Sequence, residues 1–337
     1  MPKSQETTVV TMSADDVKDL VQRYYRLTPM SATGSDGEAA SVTRIVSSEG
    51  VWAAKIFTAE PGVSDVVRWQ GELSERAREF GLPVARLLPA RDGSLTVSAR
   101  LRTQPLVIQL TEWLGWKPVA AFRPGASLLY DIGRTAARFS QAFAGAPLPP
   151  HDVGHIWELS RTVESLGHAL SKIPTGRPRD TLKIARQRFV REVVDLLPEL
   201  PRGIVHHDLH DENLLSDGEQ VTGILDFGDA VYGARVAELI VAGAYAARRS
   251  NDPGAALLHV VRGWSSVTSL DESERRVILP GAIARLATNA ATWAIRSEGQ
   301  RGDYARSRAE GSLTTIEALM PYDTNEFVRG IRILGAS

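Results

Sequence analysis

A chain of 337 residues, 43% hydrophobic and 23% charged, has the composition of a soluble globular protein, and its length predicts two lobes or domains. A net charge of −1 argues against a nucleic-acid or membrane partner held by bulk electrostatics. The absence of cysteine excludes disulfides, thiolate metal sites and a cysteine nucleophile, and agrees with a cytoplasmic location.

The stretch from Met1 to Asp16 has no apolar core of a signal peptide. Ser13 to Asp16 reads as a helix start, followed by Val17, Leu20, Val21 and Tyr24 at helical spacing. The Gly- and Ser-rich segment Ser31 to Ser41 reads as a loop. Val42 to Val46, a turn at Ser47 to Gly50 and Val51 to Phe57 form a hairpin signal. Alternation puts Val51, Ala53, Lys55 and Phe57 on one strand face, so Lys55 sits among apolar neighbours. Residues 64–80 read as a helix, and Ser94 to Arg102 and Val107 to Thr111 as strands.

After the break at Gly115 to Pro124 the composition turns helical. Leu128, Ile132, Ala136, Phe139 and Phe143 make an apolar stripe, ended by residues 145–150. A further amphipathic helix is predicted over Asp180 to Leu197. From Val236 onward the period is helical, with breaks at Pro253-Gly254, Pro280-Gly281 and Pro321. The apolar run Val236 to Ala247 carries Glu238 and is too short to span a bilayer, which predicts a buried core helix.

The chemistry concentrates between Ile204 and Asp229. His206-x-Asp208-x-x-x-x-Asn213 is followed by the apolar run Val221 to Leu225, which delivers Asp226-Phe227-Gly228-Asp229. Phosphoryl transfer needs a carboxylate near the attacking hydroxyl, and an amide oxygen plus a second carboxylate to hold Mg²⁺. Asp208 suits the first role, Asn213 and Asp226 the second, and an Asp–Asn pair suits Mg²⁺ better than zinc. A polar surface loop rich in His and Asp is the bland alternative. A metal-dependent hydrolase built on His206, His207, Asp208, His210 and Asp211 is another, though it leaves Asn213 and the Asp226–Asp229 motif unexplained.

In the same scheme Lys55 contacts the α- and β-phosphates, oriented by Glu72 of the next helix, with Glu75 as runner-up. Gly34 and Gly37 allow backbone N–H groups to approach phosphate. Glu112 and Leu114, in a linker, offer backbone groups to a nucleotide base.

In this order the residues resemble the aminoglycoside phosphotransferase/choline kinase family, relatives of protein kinases. The passage from Asp229 through Ala230 to Gly233 straight into the Glu238 helix, with no Ala-Pro-Glu, is similar to its small-molecule members. Residues 131–143, Trp157-Glu158-Leu159, 237–247 and 284–294 look like the hydroxylysine-kinase-like branch. The resemblance implies an α+β, bilobal protein-kinase-like fold. Residues 1–111 would form a small β-rich N-lobe, 112–116 a hinge, and 117–337 a helical C-lobe with catalytic loop 204–216 and metal motif 225–229.

It further implies a Mg²⁺-dependent kinase passing the γ-phosphate of ATP or GTP to a hydroxyl of a small amino alcohol, hydroxylysine-like compounds ahead of aminoglycosides. Asp229 and Glu158 become candidates to pair with the substrate ammonium. Asp229 serves equally as a turn or helix cap, and Glu158 as a buried helix partner. A catalytically inactive nucleotide-binding protein is the third reading, and a homodimer stays open. His207 stands where the family usually has glycine, and the segment 31–41 also departs from the branch pattern.

Overall fold

The computed structural model describes residues 12–36, 41–152, 154–296 and 302–334. These residues divide into two compact units. The first runs to Gly115 and includes Pro149–Asp152; the second comprises Trp116–Leu148 and the described residues after position 153.

The first unit begins with α1 (Ala14–Tyr24). Ser13 caps it: Asp16 N–H donates to Ser13 Oγ at 3.1 Å, and Ser13 N–H donates to Asp16 Oδ2 at 3.1 Å. Strands β1 (Pro29–Asp36), β2 (Ser41–Ser47) and β3 (Gly50–Thr58) precede α2 (Val63–Glu79), and β4 (Val97–Leu101) and β5 (Gln104–Glu112) follow it. They form an antiparallel sheet in the order β1-β2-β3-β5-β4. Val17, Leu20 and Val21 of α1 join Tyr25, Ile45, Trp52, Ile56, Leu106 and Ile108 in one buried cluster. The tight β2–β3 turn uses Gly50 at φ +143°, a backbone that residues with a Cβ rarely adopt.

Two expectations for this unit change. Residues 31–36 are a strand rather than a loop, because Gly34 pairs with Thr43 and Ala32 with Ile45 in the ladder with β2; tertiary pairing overrides the weak strand propensity of Gly and Ser. The strand expected from Ser94 starts at Val97, because Asp92 Oδ1 accepts the Ser94 N–H and hydroxyl and holds a turn there.

The second unit contains β6 (Lys117–Pro118), α3 (Ala126–Ala142), α4 (Thr162–Lys172), α5 (Arg177–Glu192) and β7 (Arg202–Val205). Then come β8 (Leu214–Ser216), β9 (Val221–Ile224), β10 (Val231–Ala234), α6 (Val236–Arg248), α7 (Pro253–Ser265), α8 (Glu272–Arg296), α9 (Gly302–Leu319) and α10 (Thr324–Leu334). Strand β7 pairs with β10, and β8 lies between β6 and β9. Helices α3 and α7 touch backbone to backbone. A Cβ on Gly133 would lie 1.8 Å from the Val260 carbonyl oxygen, and one on Gly263 1.8 Å from that of Tyr130.

Here too the boundaries shift. Helix α5 stops at Glu192, and a 3-10 turn over Val194–Glu199 replaces the expected last turn, since Pro198 brings no backbone N–H. Pro280 and Gly281 do not break the chain. They lie inside α8, whose residues from Val277 to Ala291 are buried, so packing outweighs one lost backbone bond. No helix among the described residues is long and apolar enough to cross a membrane.

Candidate active site

Strand β7 ends in the buried pair Ile204 and Val205 and hands the chain to His206, which has no exposed surface. The His206 ring packs 4.7 Å from Phe227 and 5.4 Å from Phe139, centroid to centroid, and its Nδ1 accepts the Asp208 N–H at 3.3 Å. His206 therefore ties the loop to the Asp226-Phe227-Gly228 turn through apolar packing. Glu238 of α6 grips the loop itself at His206 and His207. Its Oε2 accepts the His206 N–H at 2.5 Å and its Oε1 the His207 N–H at 3.3 Å. Complete burial pushes the Glu238 carboxyl up to about 8, against the pull of those two N–H groups.

His207 has φ +68°. A residue bearing a Cβ is strained in this left-handed region by roughly 1–2 kcal/mol. Glycine is the natural occupant, which explains the usual family residue. Here the side chain is buried, and desolvation, then Arg285, His155 and His206, push its imidazole well below the ordinary range.

Asp208 follows. Asn213 Nδ2 donates to Asp208 Oδ2 at 2.6 Å and to its carbonyl at 3.1 Å. His210 Nε2 lies 3.6 Å from Oδ2, and Arg285 Nη2 of α8 donates to Oδ1 at 3.5 Å. Burial raises the Asp208 carboxyl well above its ordinary value, with Asp229 and Asp226 adding to the rise and Arg285 opposing it. With its NH₂ committed to Asp208, the Asn213 amide presents its oxygen as the free acceptor.

The β8–β9 ladder brings the two metal-binding candidates to one end. Leu214 pairs with Ile224, and the Leu225 N–H donates to the Asn213 carbonyl at 2.9 Å. Asp226 is therefore one residue beyond a partner of Asn213. Its φ is +58°, and its Oδ1 accepts the Gly228 N–H at 2.9 Å. Asp is among the few non-glycine residues that visit this backbone region. The donors on offer, an amide oxygen and a carboxylate, are hard oxygens that fit Mg²⁺.

Asp229 is partly exposed, with His155 Nε2 at 3.5 Å. Glu158 is turned to its own segment: Oε1 accepts the His155 N–H at 2.6 Å and lies 3.6 Å from Arg161 Nε, and Oε2 accepts the Ser160 hydroxyl at 3.4 Å. Of the His and Asp residues considered for a hydrolase centre, His210 lies 3.6 Å from Asp208 and 3.8 Å from Asp211, but His206, His210 and Asp211 are each engaged otherwise. His206 is packed in the aromatic cluster, His210 Nδ1 accepts the Glu212 N–H at 3.0 Å, and Asp211 is held by Arg248 at 2.7 and 2.9 Å. Among the described residues no group of three His, Asp or Glu is arranged to hold a metal ion.

In the first unit, Lys55 shares the half-buried face of β3 with Val51 and Ala53, its Nζ 5.5 Å from the Phe57 ring centroid. Glu72 is exposed on α2, whereas Glu75 accepts Arg78 at 2.7 Å and the Leu87 N–H at 3.1 Å. Gly34 lies on β1, and Gly37 lies outside the described residues. Glu112 ends β5 exposed, and Leu114 is half-buried beyond it.

Sequence reasoning passed over Glu238 and Arg285 as site residues. The available signal was a lone charged residue in an otherwise apolar or small-residue helix, in VAELIVAGAYAA and ARLATNAATWA.

The model of the phosphotransferase enzyme family matches residues 33–276. Hydroxylysine kinase of Mus musculus is 27% identical over 231 residues, 64% of this chain and 61% of that protein. Hydroxylysine kinase of Danio rerio is 26% identical over 279 residues, 78% of each chain. Homoserine kinase of Pseudomonas aeruginosa is 30% identical over 175 residues, half of each. The chain spans about three fifths of the length of the mouse and Bos taurus hydroxylysine kinases. Among solved structures, an amicoumacin kinase in complex with AMP-PNP, Ca²⁺ and Ami has a TM-score of 0.71 at 15% identity, covering 94% of this chain and 97% of that one. A microcompartment-associated aminopropanol kinase has a TM-score of 0.66 at 16% identity, covering 90% and 97%. At these identities the likeness is one of fold, the protein-kinase-like fold implied by the sequence.

Proposed function

The chain belongs to the phosphotransferase enzyme family, and from that premise we propose that it is a Mg²⁺-dependent small-molecule kinase. It passes the γ-phosphate of ATP or GTP to a hydroxyl of an amino alcohol, hydroxylysine-like compounds ahead of aminoglycosides. The observation that carries the reading is the junction of Asp208, Asn213 and Asp226. Asn213 bonds Asp208 at 2.6 Å through its NH₂, and its carbonyl accepts the N–H of the residue before Asp226.

In this reading Asp208 orients the acceptor hydroxyl and takes its proton as the new oxygen–phosphorus bond forms and the γ-phosphorus parts from the nucleoside diphosphate, which leaves. Asn213 Oδ1 and the Asp226 carboxylate would hold Mg²⁺, which would offset the charge of the phosphate oxygens. Lys55 clamps the α- and β-phosphates. Asp229 takes the substrate ammonium ahead of Glu158, whose carboxylate is engaged by His155 and Ser160 of its own segment. The rate gain comes from positioning and charge neutralisation.

The acceptor class has independent support. Hydroxylysine, homoserine and aminopropanol, after which three of the similar proteins are named, each join an amine to a hydroxyl. The test is a product-mass screen of hydroxylysine, homoserine, aminopropanol and aminoglycosides, each with ATP and with GTP. The reading expects one phosphate added to an amino alcohol of the first group. Turnover of aminoglycosides alone would reverse the substrate order, and no phosphorylated product in any arm would contradict the reading.

A further inference from the structure

Asp208 is held unequally on its two oxygens. Oδ2 receives Asn213 Nδ2 at 2.6 Å and has His210 Nε2 at 3.6 Å. Oδ1 faces Arg285 Nη2 at 3.5 Å. The engaged oxygen is Oδ2, so Oδ1 is the one left to meet an acceptor hydroxyl, and Arg285 is its neighbour.

Arg285 is held differently from Arg248 and Arg235 of this unit and, like Arg188, serves several acceptors. Arg248 places one nitrogen on both oxygens of Asp211 at 2.7 and 2.9 Å, and Arg235 makes a short two-nitrogen pair with Glu274 at 2.7 Å on each side. Those are ion pairs that brace helices and loops. The Arg285 side chain is 5% exposed yet spreads its donors over three acceptors. Nη2 reaches the His207 carbonyl as well as Asp208 Oδ1, each at 3.5 Å, Nη1 reaches the Trp157 carbonyl at 3.4 Å, and Nε makes no bond. Its Cζ lies over the rings of Trp157, 4.7 Å from the centroid, and Tyr245, 5.8 Å from the centroid. It projects from α8, which is buried along most of its length and therefore gives a rigid base. One fork thus registers the free oxygen of Asp208, the carbonyl of left-handed His207, and the segment whose His155 meets Asp229.

We propose that Arg285 is a positioning residue that aims Asp208 Oδ1 at an acceptor hydroxyl bound beside the Trp157 segment. The inference rests on the reading of Asp208 as the base. A guanidinium is required, because the point charge of lysine cannot span three acceptors in fixed directions.

The test is a double-mutant cycle of wild type, Arg285→Met, Asp208→Asn and the double variant, with kcat and KM for acceptor and nucleotide. Arg285→Met is expected to lower kcat about 10–100-fold, the scale of a misaligned reacting group, with nucleotide KM changed less than about two-fold. In the Asp208→Asn background it should add no further loss, because its effect runs through that carboxylate. Arg285→Lys should recover only a minor part of the rate. An equal loss in both backgrounds, full rescue by Lys, or an unchanged kcat in Arg285→Met overturns the inference. If the Met variant does not fold, Arg285→Lys goes through the same cycle under the same criteria. If Asp208→Asn itself keeps the wild-type rate, the base assignment fails, a result distinct from an additive cycle.

Discussion

The unit that carries Lys55 and the loop that carries Asp208 are held by different physics. Beneath the sheet, Ile45, Ile56, Leu106 and Ile108 are buried almost completely in one apolar cluster with α1. Around the Asp208 loop, polar groups add to the aromatic packing of His206: Glu238 on the His206 and His207 N–H groups, Arg248 on Asp211, Asn213 and Arg285 on Asp208. Apolar burial is non-directional and stabilises a whole sheet without choosing where one atom points. Hydrogen bonds and ion pairs choose directions, and removing one partner leaves the other buried and uncompensated. Changes under the sheet should therefore move stability, and changes around the loop should move turnover as well.

The largest effect expected is on rate alone. Asp208→Asn should lower kcat by about 10²–10⁴-fold. Its unfolding free energy should stay level or rise, since burial and the neighbouring Asp229 and Asp226 disfavour the charge that is removed. An unchanged kcat would erase the proposed contrast. Next, Asp211→Ala strands Arg248, whose side chain is 8% exposed, and should cost about 3–5 kcal/mol in denaturant unfolding together with a lower kcat. Beneath the sheet, Ile108→Ala should cost about 2–5 kcal/mol while the folded fraction turns over at the wild-type kcat.

The last effect is a pH slope. Glu238 has an ordinary value of 4.5 and is raised by burial to about 8. Between those values the folded state binds more protons than the unfolded one, so stability falls as pH rises through the window. Glu238→Gln removes this titration. The stability of the wild type relative to the variant should fall from pH 4.5 to about 8, read from denaturation midpoints.

The same contrast governs what the sequence could reveal. Lys55 was legible as a partly buried strand residue because alternation is a local period. Asp208, Asn213 and Asp226 were legible because one short motif and one short strand run carry all three. Glu238 and Arg285 were not, since each acts on residues far along the chain, 32 positions away for His206 and 77 for Asp208. The boundary errors have the same origin. Residues 31–36 become a strand through pairing with β2, and Pro280 is absorbed by packing around α8, neither of which a local pattern contains.

The central claim is tested most directly by following the label from γ-labelled ATP with hydroxylysine as acceptor, Mg²⁺ present, in the wild type and in Asp226→Asn. The account predicts labelled phosphohydroxylysine from the wild type and its loss in the variant, with both proteins folded. Equal label transfer by the two proteins, or label released only as inorganic phosphate, would contradict it.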